Sequence, residues 1–343
     1  MRTPLPCRPI GRTGVATTEL GLGAAPLGGL YAPMTDEDAR AIVRTAIDGG
    51  MRYIDTAPYY GFGLSEQRVG TVLALEEGVV ISTKVGRLLR PLNITPVQPR
   101  NGFYSPLPFE PHFDYTYDGI MRSWEASLLR LDVARIDILY VHDIGRLTHG
   151  AANDTYFQQL TAGGGFRALQ SLRNTGSIRA FGLGVNEPEV CLEVLQETDL
   201  DVILLAGCYT LLQQPALDRL LPECLRRGTS LVIGGPYNSG ILASGVISPA
   251  APVRYNYEAA PAEIIERVRR IELIAREYDV PLPGAALQFP LAHPAVISVI
   301  PGVDSPERVE QTLQWYGTSI PPEFWEDLRR QGLLRADAPV PAS

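Results

Sequence analysis

Arg52-Tyr-Ile-Asp-Thr-Ala-Pro-Tyr-Tyr-Gly61 reads as a short apolar strand that breaks at a carboxylate, Asp55, with a phenol, Tyr60, shortly after it. Two later runs share this design. Val79-Val-Ile-Ser-Thr-Lys84 ends on a lysine, and Ile136-Asp-Ile-Leu-Tyr-Val-His142 ends on a histidine followed by Asp143. Polar groups placed where apolar strands stop are expected when parallel strands deliver side chains to one face of a closed barrel.

The segments between these runs have helical period. Residues 35–48 offer Thr35 as an N-cap, Glu37 and Asp38 in the first turn, and Ala39, Ile42, Val43, Ala46 and Ile47 at helical spacing before Gly49-Gly50. Strand-like runs at 20–24, 52–56, 79–84, 136–142, 178–184, 201–205, 230–234 and 296–300 alternate with helical ones. The helices are predicted at 35–48, 65–74, 118–130, 165–174, 188–196, 215–227, 262–278, 284–293, 306–315 and within 322–333. Eight such units predict an α/β fold, a (β/α)₈ TIM barrel, with residues 1–343 as a single domain. Gly21-Leu-Gly23 lacks the spacing of a dinucleotide-binding GxGxxG loop and reads as backbone freedom at a barrel-strand end.

Two additions decorate the barrel. Residues 10–19, with Gly11 and Gly14, predict an N-terminal β-hairpin across the barrel bottom. Residues 86–117 form an unusually long β3–α3 loop with Pro91, Pro96, Pro99, Pro106, Pro108 and Pro111 among Phe103, Tyr104, Phe109, Phe113 and Tyr115. Its aromatic content predicts an ordered wall over the catalytic face.

Composition narrows the partners. A net charge of −8 without a basic stripe argues against nucleic acid. No long apolar run is present for a membrane span, and the first ten residues do not form a signal peptide. Cys7, Cys191, Cys208 and Cys224 show no metal-ligand spacing, so no metal is expected, and reduced, mostly buried thiols in a cytoplasmic protein are. A small-molecule substrate is the remaining partner, and nothing here indicates an oligomeric state.

The four strand-end groups complement one another. Moving a hydride to or from a carbonyl carbon requires moving a proton on its oxygen. A free phenol titrates near 10, too high for easy exchange, and an adjacent ammonium favours the phenolate. A carboxylate positions that ammonium, and a histidine orients the reacting oxygen. Singly, Asp55, Tyr60, Lys84 and His142 each have a plainer reading, as a turn cap, a half-buried aromatic, a solvated charge and a core histidine. Their joint occurrence at successive strand ends carries the assignment.

The segment 55–61, with Ser65-Glu66 after it, resembles the Asp-Thr-Ala-x-x-Tyr-Gly signature of the aldo-keto reductases. Lys84 in Ser-Thr-Lys, His142 in Tyr-Val-His-Asp, and Ile300-Pro-Gly302 before Pro306-Glu-Arg-Val309 are similarly placed, so the resemblance runs from Gly21 to Trp315. It implies a catalytic tetrad of Asp55, Tyr60, Lys84 and His142 and a nicotinamide cofactor. By the same resemblance, Gly23, Asn186 and Gly234 adjoin the nicotinamide, Pro236, Tyr237, Asn238 and Gly240 the pyrophosphate, and Gly302, Asp304, Arg308 and Gln311 the adenosine ribose. Tyr31, Tyr59 and Asp143 are the expected substrate contacts. Asn186 is offset by one from the family's Ser-Asn pair, Ala206 stands where a glutamine is common, and Gly234 where an aromatic is. Gly302 replaces a common lysine and Asp304 adds negative charge, which suits NAD, with NADP use through Arg308 left open.

Gly23-Ala-Ala-Pro-Leu-Gly-Gly29, Pro58-Tyr-Tyr-Gly-Phe-Gly-Leu-Ser-Glu66 and Val141-His-Asp-Ile144 resemble the aldose 1-dehydrogenase branch. That branch acts on L-fucose, D-threo-aldoses or L-galactose, and a pyridoxal 4-dehydrogenase resembles it. The implied reaction oxidises a cyclic hemiacetal to a lactone. An NADPH-dependent carbonyl reductase and a non-catalytic cofactor-binding subunit are the alternatives.

Overall fold

The computed structural model of the protein describes residues 4–93, 99–104, 106–249, 253–256 and 258–342. Pro96 of the proline-rich insertion lies outside them. The eight barrel strands are β1 (Leu22–Gly23), β2 (Tyr53–Asp55), β3 (Val80–Val85), β4 (Ile138–His142), β5 (Ala180–Val185), β6 (Val202–Ala206), β7 (Ser230–Gly234) and β8 (Val296–Ile300). They pair in chain order within one parallel sheet. Parallel bridges Leu20–Val299 and Gly23–Gly302 join its two edges and close the barrel. Strand β1 is short because its pairing is split between β2 and these bridges.

The pleat sorts side chains into two cores. Ile54, Ile81, Leu139, Phe181, Ile203, Leu231 and Val299 face outward under the helices, whereas Tyr53, Val80, Ile138, Ala180, Val202 and Val232 fill the barrel. Parallel strands buried on both faces need both sets apolar, hence the near-continuous apolar runs in the sequence. The predicted hairpin is present as Cys7–Pro9 paired with Ala16–Thr18. It sets Ile10 and Val15, both essentially buried, against the lower barrel interior.

The labelled helices are α1 (Asp36–Asp48), α2 (Leu64–Leu73), α3 (Tyr117–Leu131), α4 (Gly165–Asn174), α5 (Pro188–Glu197), α6 (Leu220–Arg227), α7 (Ala262–Glu277), α8 (Leu282–Leu291), α9 (Pro306–Tyr316) and α10 (Pro322–Arg330). Thr35 caps α1 by accepting from the Asp38 amide at 3.1 Å. The helix expected over 215–227 divides into a 3₁₀ turn, Pro215–Leu217, and α6. Short helices at Arg146–His149, Asn153–Leu160 and Ile241–Ser244, and a two-stranded pairing of Arg254–Tyr255 with Glu258–Ala259, lie where the sequence predicts loop. These pieces are too brief to show a period. Among the described residues no helix is long and apolar enough to cross a membrane. All four thiols are free, with Cys191 and Cys224 buried and Cys7 exposed.

The insertion contains a β-hairpin, Arg87–Pro91 against Phe109–Phe113. Its tip then packs on the loop after β1. The Tyr31 amide donates to the Gly102 carbonyl at 2.9 Å and the Tyr104 amide to the Gly29 carbonyl at 2.8 Å. Arg100 ties the tip back to the hairpin through the Phe109 carbonyl at 2.5 Å. Phe103 and Tyr104 are thereby held against the loop after β1, whereas Phe113 and Tyr115 pack with His149 and Tyr156.

Candidate active site

Three adjacent strands set the floor. β2 ends on Asp55, and Lys84 and His142 lie at the same end of β3 and β4. Lys84 Nζ donates to Asp55 Oδ2 at 2.6 Å and to the Thr56 carbonyl at 2.9 Å. Ser82 Oγ donates to the other Asp55 oxygen at 2.7 Å. Beneath them the Tyr53 hydroxyl lies 3.1 Å from Ser82 Oγ and 3.0 Å from the Tyr140 hydroxyl. The buried pair is thus held by hydrogen bonds as well as charge, which a buried ion pair needs. Gly184 keeps room for the lysine stem, since a β-carbon there would lie 3.3 Å from Lys84 Cε.

Tyr60 arrives on the 3₁₀ turn Tyr60–Gly63, where Gly61 and Phe62 have left-handed backbones. Gly61 meets Gly28 so closely that a β-carbon on Gly28 would lie 2.6 Å from the Gly61 nitrogen. This contact fixes the turn against the loop after β1. The Tyr60 ring lies 4.8 Å from Lys84 Nζ and 6.2 Å, edge-on, from the His142 ring. Ser65 and Glu66 of the signature have structural duties. Ser65 Oγ donates to the Ala24 carbonyl at 2.7 Å, and buried Glu66 accepts from Thr83 at 2.6 Å and from Arg130 at 2.5 Å.

Burial dominates the electrostatics. It pushes the Tyr60 phenol above its ordinary pKa, with Lys84 pulling it only part way back. The expectation from the sequence, a phenol lowered by lysine, captures one contribution and misses the larger one. Burial also raises the Asp55 carboxyl against the opposing pull of Lys84 and Ser82. Burial disfavours the Lys84 ammonium too, yet Asp55 and Tyr60 hold it above its usual value. Burial, then Lys84 and Arg87, hold His142 well below its usual pKa, so its imidazole is neutral.

A cavity of about 560 Å³ opens above this floor, within the range for small-molecule sites. Tyr60, Lys84 and His142 line its base, and Asn186 and Ala206 one side. Tyr31, Tyr59, Phe103, Tyr104 and Arg254 form upper walls, and Asp143 faces it as well. All three candidate substrate contacts therefore border one space with Tyr60, Lys84 and His142, while Asp55 reaches it only through Lys84. Tyr59 meets Phe103 edge-on at 5.5 Å, so the insertion completes the wall.

The candidate cofactor residues fall into two groups. Asn186 and Ala206 line the cavity, and Ala206 pairs with Gly234 across β6 and β7. Gly23 pairs with Asp55 and bridges Gly302. Farther out, Gly235, Asn238, Ser239 and Gly240 all take left-handed backbones in the turn after β7. Pro236 and Tyr237 are buried there, and Tyr237 lies within the field of Arg308. Asn238 is engaged by Thr210 at 2.7 Å and by the Gly207 carbonyl at 3.3 Å, so its side chain braces two loops. Gly302, Asp304, Arg308 and Gln311 are exposed together at the start of α9, with Arg308 donating to Gln311 Oε1 at 2.9 Å.

Sequence reading missed two arginines. Arg254 lines the cavity from the short pairing after β7, its guanidinium 4.8 Å from the Tyr31 ring centroid. Arg87 donates to Asp143 at 2.8 Å and covers the Tyr59 ring at 3.3 Å. The available signal for Arg87 is its position, a cation just beyond Lys84 where the insertion begins.

Comparison with known proteins finds matches along most of the chain. The profile of the Aldo/keto reductase family matches residues 19–331. Pyridoxal 4-dehydrogenase of Microbacterium luteolum is 49% identical, the match covering 95% of this chain and 97% of that protein. D-threo-aldose 1-dehydrogenase of a Pseudomonas species is 38% identical over 94% and 96% of the two chains. Among solved structures, the holo form of an aldo-keto reductase from Bacillus halodurans superposes with a TM-score of 0.73 at 26% identity, covering 97% of this chain and 98% of that one.

Proposed function

This chain belongs to the aldo/keto reductase family, and we propose that it is a dehydrogenase that oxidises the cyclic hemiacetal of pyridoxal or an aldose to a lactone with NAD as cofactor. The observation that carries the reading is the Asp55–Lys84 pair at 2.6 Å beneath Tyr60 and His142 on the floor of the cavity. When bound, a nicotinamide cofactor supplies the hydride acceptor. Tyr60 takes the proton of the hemiacetal hydroxyl, and Lys84 stabilises the resulting phenolate. Asp55 and Ser82 hold Lys84 in place. Neutral His142 meets the reacting oxygen and sets its angle to Tyr60. Ring oxidation at the hemiacetal carbon then yields the lactone without a free acid.

The residues fit the cofactor assignment. Asn186, which lines the cavity as Lys84 does, offers both a donor and an acceptor to a carboxamide, and the small Ala206 leaves that side clear for a flat ring. At the far end, Asp304 and the first-turn acid Glu307 accompany the cation Arg308, a balance that favours a free ribose 2′-hydroxyl over a phosphate. The aromatic walls Tyr31, Tyr59, Phe103 and Tyr104 suit stacking against a pyridine ring, and the 49% identical relative supports testing pyridoxal first. The test is an NAD⁺ reduction screen over pyridoxal, L-fucose, D-arabinose, L-galactose and L-xylose, with the lactone identified by mass spectrometry. Turnover of one or more with lactone formation is the expected result. Reduction of simple aldehydes with NADPH and no lactone from any hemiacetal would replace this reading by the carbonyl-reductase one.

A further inference from the structure

Arg87 opens the insertion hairpin and reaches back to the catalytic floor. Its Nη1 donates to Asp143 Oδ2 at 2.8 Å, and its guanidinium lies 3.3 Å from the Tyr59 ring centroid and 5.1 Å from that of Phe113. The same Asp143 oxygen stands 3.5 Å from His142 Nε2, beyond good hydrogen-bond length but inside ion-pair reach. Both partners are largely buried, with side chains 13% and 17% exposed. The backbone carrying Arg87 is anchored from the histidine's side. Gly86 has φ +87°, a β-carbon there would run into the Tyr115 ring, and the Tyr115 hydroxyl donates to the His142 carbonyl at 2.6 Å.

We infer that Arg87 is a positioning residue that holds Asp143 off the His142 imidazole, so that the insertion, through its first strand residue, keeps Nε2 free to meet the reacting oxygen. The inference rests on the reading of His142 given under the proposed function. A carboxylate this close to a histidine has two partners available, and the guanidinium wins by distance and by its planar, permanently charged fork. Without it, Asp143 turns to Nε2, blocks that nitrogen and stabilises the imidazolium. The groups facing His142 are Lys84 from the neighbouring strand end, Tyr59 and Tyr60 from the turn after β2, Asp143 beside it, Arg87 from the insertion and Tyr115 at its carbonyl. Of these, Lys84 and Arg87 are the cations that oppose its protonation. Losing Arg87 removes a cation and releases an anion, and both changes raise the pKa of His142.

The test is a double-mutant cycle on Arg87→Met and Asp143→Asn, read by kcat/KM against pH for hemiacetal oxidation. Contacting residues in one network couple by roughly twofold to a hundredfold in such cycles. Arg87→Met alone should lower kcat/KM by about ten- to a hundredfold and move the acid limb to higher pH. In the Asp143→Asn background the same substitution should change kcat/KM by less than about twofold and move the limb less far, since only the cation is then lost and no carboxylate is released. Arg87→Lys, which keeps the charge, should recover part of the loss and serves if the methionine variant does not fold by circular dichroism. An NMR titration of the His142 imidazole in the cofactor-free protein gives a readout independent of turnover, with the midpoint expected to rise further on Arg87→Met when Asp143 is intact than in the Asp143→Asn background. Equal losses in both backgrounds, with limb and midpoint unmoved, would show that Arg87 only packs the hairpin. If the wild type oxidises no hemiacetal, the functional reading fails, and the NMR titration still decides the role of Arg87.

Discussion

The two ends of the barrel are built from the same strands and do opposite things. Along β3 the inward positions run Val80, Ser82, Lys84, and along β4 they run Ile138, Tyr140, His142, while β2 passes from Tyr53 to Asp55. The lowest layer is apolar and sealed by Ile10 and Val15 from the hairpin. The middle layer is hydroxyls that bond one another, Tyr53 to Ser82 and to Tyr140. The top layer is ionisable and opens to a cavity. Polarity therefore rises one pleat at a time, because a strand repeats its facing every second residue. Stability is concentrated below, and the top can hold buried charges because the hydroxyl layer satisfies them from beneath.

That division can be broken at either end. At the top, Tyr60→Phe removes the proton carrier and should lower the chemical step by ~10²–10⁴-fold while cofactor affinity, read by fluorescence titration, stays within a few-fold. Near-wild-type turnover in the purified variant would remove Tyr60 from the mechanism. Lys84→Met strips Tyr60 of the cation that favours its phenolate, so the phenol pKa rises further and the limb of the pH–rate profile that follows loss of the Tyr60 proton, an ascending limb in hemiacetal oxidation, moves to higher pH. It also leaves the buried Asp55 carboxylate without its countercharge, with only Ser82 still donating to it, so the melting temperature should fall along with the rate.

At the bottom, Ile10→Ala should reverse the pattern. It empties part of a fully buried site and should destabilise the fold by about 2–5 kcal/mol in urea titration, with KM and kcat unchanged. An altered KM would mean that the two ends are mechanically coupled. Ser82→Ala probes the middle layer. Loss of its 2.7 Å bond to the Asp55 carboxylate should cost roughly 1.5–3 kcal/mol of stability and a smaller drop in kcat.

The smallest effect concerns the exposed cofactor end. Asp304→Ala should shift the kcat/KM ratio toward NADP⁺ by roughly two- to fivefold, as expected for one solvent-exposed charge. Gly302→Lys is a less clean probe, since a β-carbon there would stand 3.1 Å from Pro26 Cγ. An unchanged ratio in Asp304→Ala would move the discrimination to Arg308 or to residues farther along α9.

The eight strands, their order and the four strand-end groups were legible in the chain because they depend on local period and on where apolar runs stop. Asp55, Lys84 and His142 needed no tertiary information to be singled out, since each stands at such a boundary. The hairpin inside the insertion, the short helices after β4, and the Arg254 wall were not legible, because each is held by distant partners rather than by its own periodicity. Arg87 and Asp143 lie fifty-six residues apart and meet only when β3 and β4 pair. The behaviour of Tyr60 shows the same limit. Its neighbour Lys84 could be named from sequence, but whether the phenol pKa falls or rises depends on how completely the folded walls exclude water, and desolvation there exceeds the pull of the ammonium. Local pattern determines which groups come to the barrel mouth, and long-range packing determines which of them are dry, paired and charged.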